Sequence, residues 1–246
     1  FITSPTPHTT REPNDTLIEV GDQTYLFIDT AGMRKSGKVR KAGGLEAAAV
    51  RQNAQIVRGA DVTLFVIDAS EPIGNQEKTL AGFVKDSGSG VILVTNKWDL
   101  VEEKTTTTMN RYREYIAAHI PFLQIAPVLF VSALKKQRVK TIYDMINTVQ
   151  LNRTRWIEQA ELDLFLDSSM QAHKPSAGKG SLPPKILGMK QTNITPPTFD
   201  LIVKAKRIST ISESYLRFLV NRLSTRFKLQ GTPIRLHVRT ARSVSS

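Results

Sequence analysis

Residues 91–100 read VILVTNKWDL: an unbroken run of apolar and β-branched residues, then the polar quartet Asn96-Lys97-Trp98-Asp99. A strand solvated on one face alternates apolar with polar side chains. This one does not, so it reads as a strand buried on both faces of a sheet. Two similar runs flank it, VTLFVIDA at 62–69 and PVLFVS at 127–132, with helix-like segments between them at 75–86 and 106–119 and another at 139–149. Strands alternating with helices imply right-handed crossovers and a mainly parallel sheet. Ligands of such sheets sit beyond the carboxyl ends of the strands. Upstream, LIEV (17–20) and TYLFID (24–29) flank Gly21-Asp22 as a β-hairpin. A Gly-rich basic stretch (32–44) and a helix-like segment from Leu45 to Arg58, closed by Gly59, follow it.

Three polar clusters fall at those strand ends. Asp29-Thr30-Ala31-Gly32 follows the hairpin; a carboxylate there reaches a Mg²⁺ through water, and the glycine lets a backbone amide approach a terminal phosphate. In Asn96-Lys97-Trp98-Asp99, the carboxylate can accept both the ring N–H and the exocyclic amino group of guanine. Adenine offers the opposite pattern on that edge, so the carboxylate discriminates between the two bases. The lysine stem covers the base and Asn96 ties adjacent loops together. Ser132-Ala133-Leu134 offers small residues and backbone amides to the base oxygen. Each cluster alone is ordinary loop chemistry, since Asp and Gly are common turn formers. Their order at successive strand ends is what a guanine-nucleotide domain requires.

Beyond residue 150 the pattern changes. A short helix (155–167) leads into the Pro/Gly/Ser/Lys loop HKPSAGKGSLPPK (173–185). Strands are expected at 186–191 and 199–206, separated by a Thr-Pro-Pro turn. A helix is expected from Thr210 to 228, with Glu213 in capping-box spacing and an apolar stripe of Leu216, Leu219, Leu223 and Phe227. Gly231 ends it, and PIRLHVR (233–239) forms a last strand with Ile234, Leu236 and Val238 on one face. This order suggests a small α+β domain at 151–240, after an α/β domain at 1–150 and before a tail at 241–246.

Charge follows the same division. The 246 residues hold 34 Lys plus Arg against 22 Asp plus Glu, a net +12. Residues 1–150 carry 18 basic and 16 acidic side chains, whereas 151–246 carry 16 and 6. A domain this basic favours polyphosphate partners through counterion release. One basic run stands out in the near-neutral part, Arg34, Lys35, Lys38, Arg40 and Lys41, with no acid among them. The absence of cysteine excludes a disulfide framework or thiolate zinc site. With no run of about 18 apolar residues, a membrane-spanning helix is excluded.

DTAG (29–32), NKWDL (96–100) and VSAL (131–134) resemble the nucleotide motifs of translation-factor-class GTPases. More narrowly, DTAGMRKSGKV (29–39) resembles the second GTPase domain of the Der, or EngA, double-GTPase family, which acts in assembly of the large ribosomal subunit. PTPHTTREPND (5–15) is similar to that family's first switch; SESYLRFLVNRL (212–223) and GTPIRLHVR (231–239) are similar to its C-terminal KH-like domain.

The resemblance implies a P-loop-GTPase-type, mainly parallel sheet, truncated at its N-terminus, followed by an α+β KH-like domain. It implies GTP and Mg²⁺ as ligands, with K⁺ assisting. Thr10, or failing it Thr9, would ligate the Mg²⁺ and sense the γ-phosphate; Asp29 would hold the metal through water, and the Gly32 amide would contact the γ-phosphate. Asn96, Lys97 and Asp99 would select guanine, with Ser132 and Ala133 behind it. Met33 stands where many GTPases place a water-orienting glutamine, so the catalytic group is unassigned. His8 replaces the family's usual glycine in the first switch.

No Gly-x-x-x-x-Gly-Lys-Ser/Thr occurs in the 246 residues. That loop cradles the phosphates. Since the chain begins at Phe1, the expectation is a fragment of a hydrolysing gene product, itself inactive. Implied partners are the precursor of the large ribosomal subunit and its rRNA, without a membrane and as a monomer, in the bacterial cytoplasm or a plastid. Candidate RNA contacts are the 34–41 run together with Lys204, Lys206, Arg207, Arg222 and Arg226. Arg217, Lys228, Arg235 and Arg239 lie near these in the sequence. The competing reading is an RNA-binding module in which the GTPase remnant is only a scaffold. No Gly-x-x-Gly loop occurs between 186 and 239, so shape and phosphate recognition is expected rather than sequence-specific reading of single strands.

Overall fold

The computed structural model describes residues 15–28, 56–175, 185–204 and 211–241. The chain divides into two compact units, Phe1–Ile146 and Asn147–Ser246. None of the described helices is long and apolar enough to cross a membrane.

In the first unit, β1 (Asp15–Val20) and β2 (Gln23–Ile28) form the expected antiparallel hairpin. Gly21 takes φ +59° in the turn, a left-handed conformation that glycine adopts without a Cβ penalty. The parallel sheet follows as β3 (Val62–Asp68), β4 (Gly90–Asn96) and β5 (Val128–Phe130), in the order β3-β4-β5. Helices α1 (Asn75–Ser87) and α2 (Thr106–His119) make the two crossovers. Thr105 caps α2, its side chain accepting the Thr108 N–H at 3.2 Å.

The central strand β4 buries Val91 to Thr95 without interruption, as its sequence requires. Phe65 and Ile67 of β3, Ala81 and Val84 of α1, and Ile116 of α2 complete one core with Val91 and Leu93. β3 was expected to be equally enclosed, yet Val66 is 47% exposed. Val66 lies on the face opposite Phe65 and Ile67, away from the core those two share. Helical residues 56–59 match the end of the segment expected before Gly59.

Helix α3 (Thr141–Arg153) spans the division between units. The second unit runs α4 (Gln159–Ala172), β6 (Lys185–Ile194), β7 (Pro197–Lys204), α5 (Glu213–Arg226) and β8 (Arg235–Thr240). Its sheet order is β6-β7-β8, with β6 antiparallel and β8 parallel to β7. Two parallel neighbours cannot be joined by a hairpin, and α5 supplies the crossover. Phe199, Leu201 and Val203 alternate along β7 into a core with Leu162, Phe165 and Leu166 of α4 and Leu219 and Leu223 of α5.

The start of α5 differs from the Thr210 and Glu213 box. Ser212 is the cap, accepting the Tyr215 N–H at 3.3 Å. Ile211 is buried in the core, and this anchor keeps the chain non-helical up to the next residue. Tyr215 therefore faces inward with Leu219 and Leu223, while Leu216 is only partly buried.

Candidate functional site

The three parallel strands end side by side, with Asp68 of β3 in register with Asn96 of β4, and Thr95 with Phe130 of β5. The chain leaves β4 through Lys97, whose φ of +59° is left-handed. For a residue with a Cβ that conformation costs roughly 1–2 kcal/mol. Trp98 supplies the compensation: it is fully buried, its ring centroid 4.3 Å from Phe130 and 5.6 Å from Tyr112. Its backbone N–H donates to the Val131 carbonyl at 3.0 Å, stitching this loop to the one that follows β5. Trp98, a spacer in the sequence motif, is thus the anchor that holds its neighbours outward.

Asn96 joins the second and third clusters directly. The Ala133 N–H donates to its Oδ1 at 3.0 Å. Ser132 is fully buried; its Oγ accepts the Lys135 N–H at 3.0 Å, and its backbone exchanges hydrogen bonds with Gln137 at 3.1 and 2.9 Å. Ala133 is exposed, and Leu134 is 81% exposed. The loop is rigid at its base and open at its tip.

Asp99 lies beside this loop in a short 3-10 turn, Trp98–Leu100. A hydrogen bond with Ser132 holds its carboxyl below the usual value; partial burial opposes this, and its own backbone N–H and the charges of Lys135 and Lys104 add to the lowering. Asp99 is therefore an anion at neutral pH. Its Oδ1 is buried yet has no hydrogen-bond partner. A buried acceptor without a donor is costly, and a ligand offering two adjacent N–H groups would relieve that cost.

Sequence reasoning missed Asp68. Its Oδ2 lies 2.5 Å from Lys97 Nζ, and its Oδ1 accepts the Ser70 N–H at 2.9 Å and the Ser70 hydroxyl at 2.6 Å. Partial burial pushes this carboxyl up, but the bonds from Lys97 and Ser70 outweigh it and bring the pKa to about 2. Lys97 remains 52% exposed, so Asp68 fixes the ammonium end while leaving much of the stem open. The available signal was an acid ending an apolar strand at the level of Asn96, followed by a serine two residues on.

The structure therefore brings Asn96, Lys97, Asp99, Ser132 and Ala133 together. Thr10, Asp29, Thr30, Ala31, Gly32 and Met33 lie outside the described residues, as do Arg34, Lys35, Lys38, Arg40 and Lys41, and also Lys206 and Arg207. Of the remaining candidate RNA contacts, Lys204 and Arg226 are exposed. Arg222 is partly committed within its own unit: its Nε donates to the buried Ser169 Oγ at 3.1 Å, and its guanidinium lies 5.6 Å from the Phe218 ring centroid.

Two family profiles match the chain. Residues 156–239 match the KH-domain-like region of EngA bacterial GTPase enzymes, C-terminal, and residues 1–97 match the 50S ribosome-binding GTPase profile. Proteins named GTPase Der are similar over almost its whole length. That of Lacticaseibacillus casei strain BL23 is 39% identical over 239 residues, and that of Brevibacillus brevis is 38% identical over 239. That of Desulfitobacterium hafniense strain DSM 10664 is 36% identical over 238. Each match covers 97% of this chain and 53% of the relative. The chain thus spans about half the length of the curated relatives it matches.

Proposed function

Because this chain belongs to the Der/EngA family of GTPases, matching it through a GTPase domain and a KH-like domain, we propose that it is the guanine-binding and RNA-binding portion of a GTP hydrolase. In this reading residues 1–150 are the nucleotide domain and 151–240 the RNA-facing domain. The hydrolase acts in the cytoplasm on the precursor of the large ribosomal subunit. The observation that carries the nucleotide assignment is the Asn96 to Ala133 bond beside an ionised Asp99 whose buried Oδ1 lacks a donor.

The residues divide the work as follows. Asp99 accepts the ring N–H and exocyclic amino group of guanine. The Lys97 stem covers the base, with its ammonium tied back to Asp68. Asn96 fixes the spacing of the two loops by taking the Ala133 N–H, so that the next amide, that of Leu134, meets the base oxygen. Thr10 and Asp29 would hold Mg²⁺, which supplies neutralisation of phosphate charge. The Gly32 amide would contact the γ-phosphate. Water attacks the γ-phosphorus, the bond to the bridging oxygen breaks, and GDP and phosphate leave. Met33 has no group that can orient this water, so another donor, assisted by K⁺, must do so. The phosphate-cradling loop is not among these 246 residues, and full hydrolysis is assigned to a longer gene product that supplies it.

Titration of fluorescent GTP and ATP analogues into the chain and into an N-terminally extended form tests this reading. Guanine-selective binding, strong only in the extended form, is the expected result. Equal binding of the two nucleotides, or none by either form alongside intact rRNA binding, would favour the RNA module with a scaffold remnant.

A further inference from the structure

The two layers of the second unit differ in charge. Helices α4 and α5 carry Glu161, Asp163, Asp167 and Glu213 against Arg217, Arg222 and Arg226, close to balance. Strands β6, β7 and β8 carry Lys185, Lys190, Lys204, Arg235 and Arg239 against one acid, Asp200. The helices pack on the Phe199, Leu201 and Val203 side of the sheet, against which Leu236 and Val238 also rest. Alternation along β8 therefore turns Arg235, His237 and Arg239 to the opposite side, and all three are exposed. They stand about 6.5–7 Å apart along the strand. Asp200 lies in register with Lys190 on one side and His237 on the other, which places these residues on the same face; Lys204 follows four residues along β7.

Asp200 is 9% exposed, and its Oδ1 has no hydrogen bond, only Arg239 Nε at 3.5 Å. It lies beneath the face and steadies Arg239 through Nε, which leaves the terminal guanidinium nitrogens for a ligand. At long range this acid cancels the charge of Arg239, so the surplus that a polyanion meets above the sheet rests on Lys190, Lys204 and Arg235.

Resting on the functional reading above, we infer that the face of β6-β7-β8 opposite α4 and α5 is where this chain holds RNA, and that its ligand is the phosphate backbone of a folded RNA. The residues are Lys190, Lys204, Arg235 and Arg239, with Asp200 as a positioning residue. The arginines of α5 are not the principal contact: four acids of α4 and α5 offset their charge, and Arg222 donates to Ser169. Apart from Asp200, Ile202 and His237, the row is Lys or Arg edged by threonine, with no Phe, Tyr or Trp and with the His237 imidazole as the ring on which a base could stack. Recognition is thus by phosphate and shape rather than by base.

The test compares two variants of the full chain by fluorescence anisotropy with large-subunit rRNA across a salt series. One is Lys190→Gln with Lys204→Gln and Arg235→Gln, which leaves the Asp200 to Arg239 pair intact. The other is Arg217→Gln with Arg226→Gln and Lys228→Gln. The sheet variant is expected to bind on the order of a hundredfold more weakly and to lose about one unit of log–log salt slope per residue removed. The helix variant should stay within about twofold of the parent. Equal losses, or a loss confined to the helix variant, would overturn the inference. So would an unaffected sheet variant, the result expected if the face receives a protein instead. Should the sheet variant not fold, acetylation of the parent chain gives the answer: bound RNA must protect Lys190 and Lys204 more than Lys228. If the parent shows no salt-dependent rRNA binding at all, the functional reading itself fails, a result distinct from relocation of the contact.

Discussion

The strand ends of the first unit and the open sheet face of the second use polar residues in opposite ways. At the strand ends nearly every functional group is held by another. Asp68 holds Lys97, Asn96 holds the Ala133 amide, Ser132 holds the Lys135 amide, and Trp98 pins the whole loop. On the sheet face the Asp200 to Arg239 pair is the tie among the described residues. Choosing between two purines requires donors and acceptors fixed to within fractions of an ångström. Attracting a polyanion requires only a surplus of one sign within a Debye length, about 8–10 Å at ordinary salt. Rigidity is concentrated where discrimination is needed and absent where it is not.

The sharpest way to break this contrast is to loosen the rigid region. Trp98→Ala removes a fully buried indole from between Phe130 and Tyr112. A loss of about 3–5 kcal/mol in the stability of the first unit is expected, the range for large-to-small changes at buried aromatics. Chemical denaturation followed by probes in each unit checks this: the second unit should keep its midpoint and rRNA affinity. Equal destabilisation of both would mean that the contrast between regions is not one of separate folding units.

Next in size is Asp99→Asn. The amide replaces one acceptor with a donor, so the variant should lose guanine nucleotide affinity by about a hundredfold or more, as sites that leave a polar partner unmatched do. It should gain affinity for xanthosine nucleotides, whose carbonyl replaces the exocyclic amine. Competition binding in an N-terminally extended form reads both changes. If guanine and xanthosine nucleotides lose affinity equally, the role assigned to Asp99 is wrong and its ionisation is merely structural.

Legibility in the sequence followed the same line between local pattern and tertiary contact. The βαβ order, the ends of α2 and the Gly21 turn are readable because periodicity and turn chemistry are local. The charge surplus of the second unit could likewise be counted from composition. Asp68 could not be found that way, since an acid ending a strand looks like any turn former until the parallel register sets it opposite Asn96. Trp98 was hidden as the variable position of a motif; its importance lies in the pocket made by Phe130 and Tyr112, residues from other elements. The α5 stripe of Leu216, Leu219, Leu223 and Phe227 packs inward as expected, but Tyr215 was passed over for a related reason. Burial of Ile211 delays the helix until Ser212 can cap it, and Tyr215 then turns inward with its hydroxyl buried and without a hydrogen-bond partner. An apolar-only pattern passes over a tyrosine. Of the candidate phosphate and Mg²⁺ residues, Asp29 and Gly32 are legible as a carboxylate and a glycine after a strand and Thr10 only through motif resemblance, and all three lie outside the described residues.

A smaller effect is expected from Asp68→Asn. Lys97 is half exposed, so the pair is a largely solvated one and its loss should cost about two- to fivefold in guanine nucleotide affinity. The size of that loss separates two readings of the rigid region. A tether that only positions Lys97 predicts an unchanged preference for guanine over adenine nucleotides, because Asp99 still makes the choice. A change in that ratio would mean that Asp68 shapes the base pocket itself.

The smallest effect concerns pH, and its sign follows from Asp68. A carboxyl whose pKa falls from 3.8 to about 2 on folding contributes stability that is present in full above the unfolded value and is lost as pH falls through the folded one. Asp99, also lowered, behaves in the same direction. Between pH 8 and 5 both carboxylates remain ionised. Guanine selectivity should therefore be flat over that window and fall only below about pH 4. Salt, by contrast, should separate the regions: raising it from about 50 to 200 mM weakens rRNA binding steeply while leaving the guanine preference almost unchanged, since fixed hydrogen bonds release few counterions. A guanine-to-adenine ratio that tracked salt as steeply as rRNA binding does would show that the strand-end site, too, works through field rather than geometry.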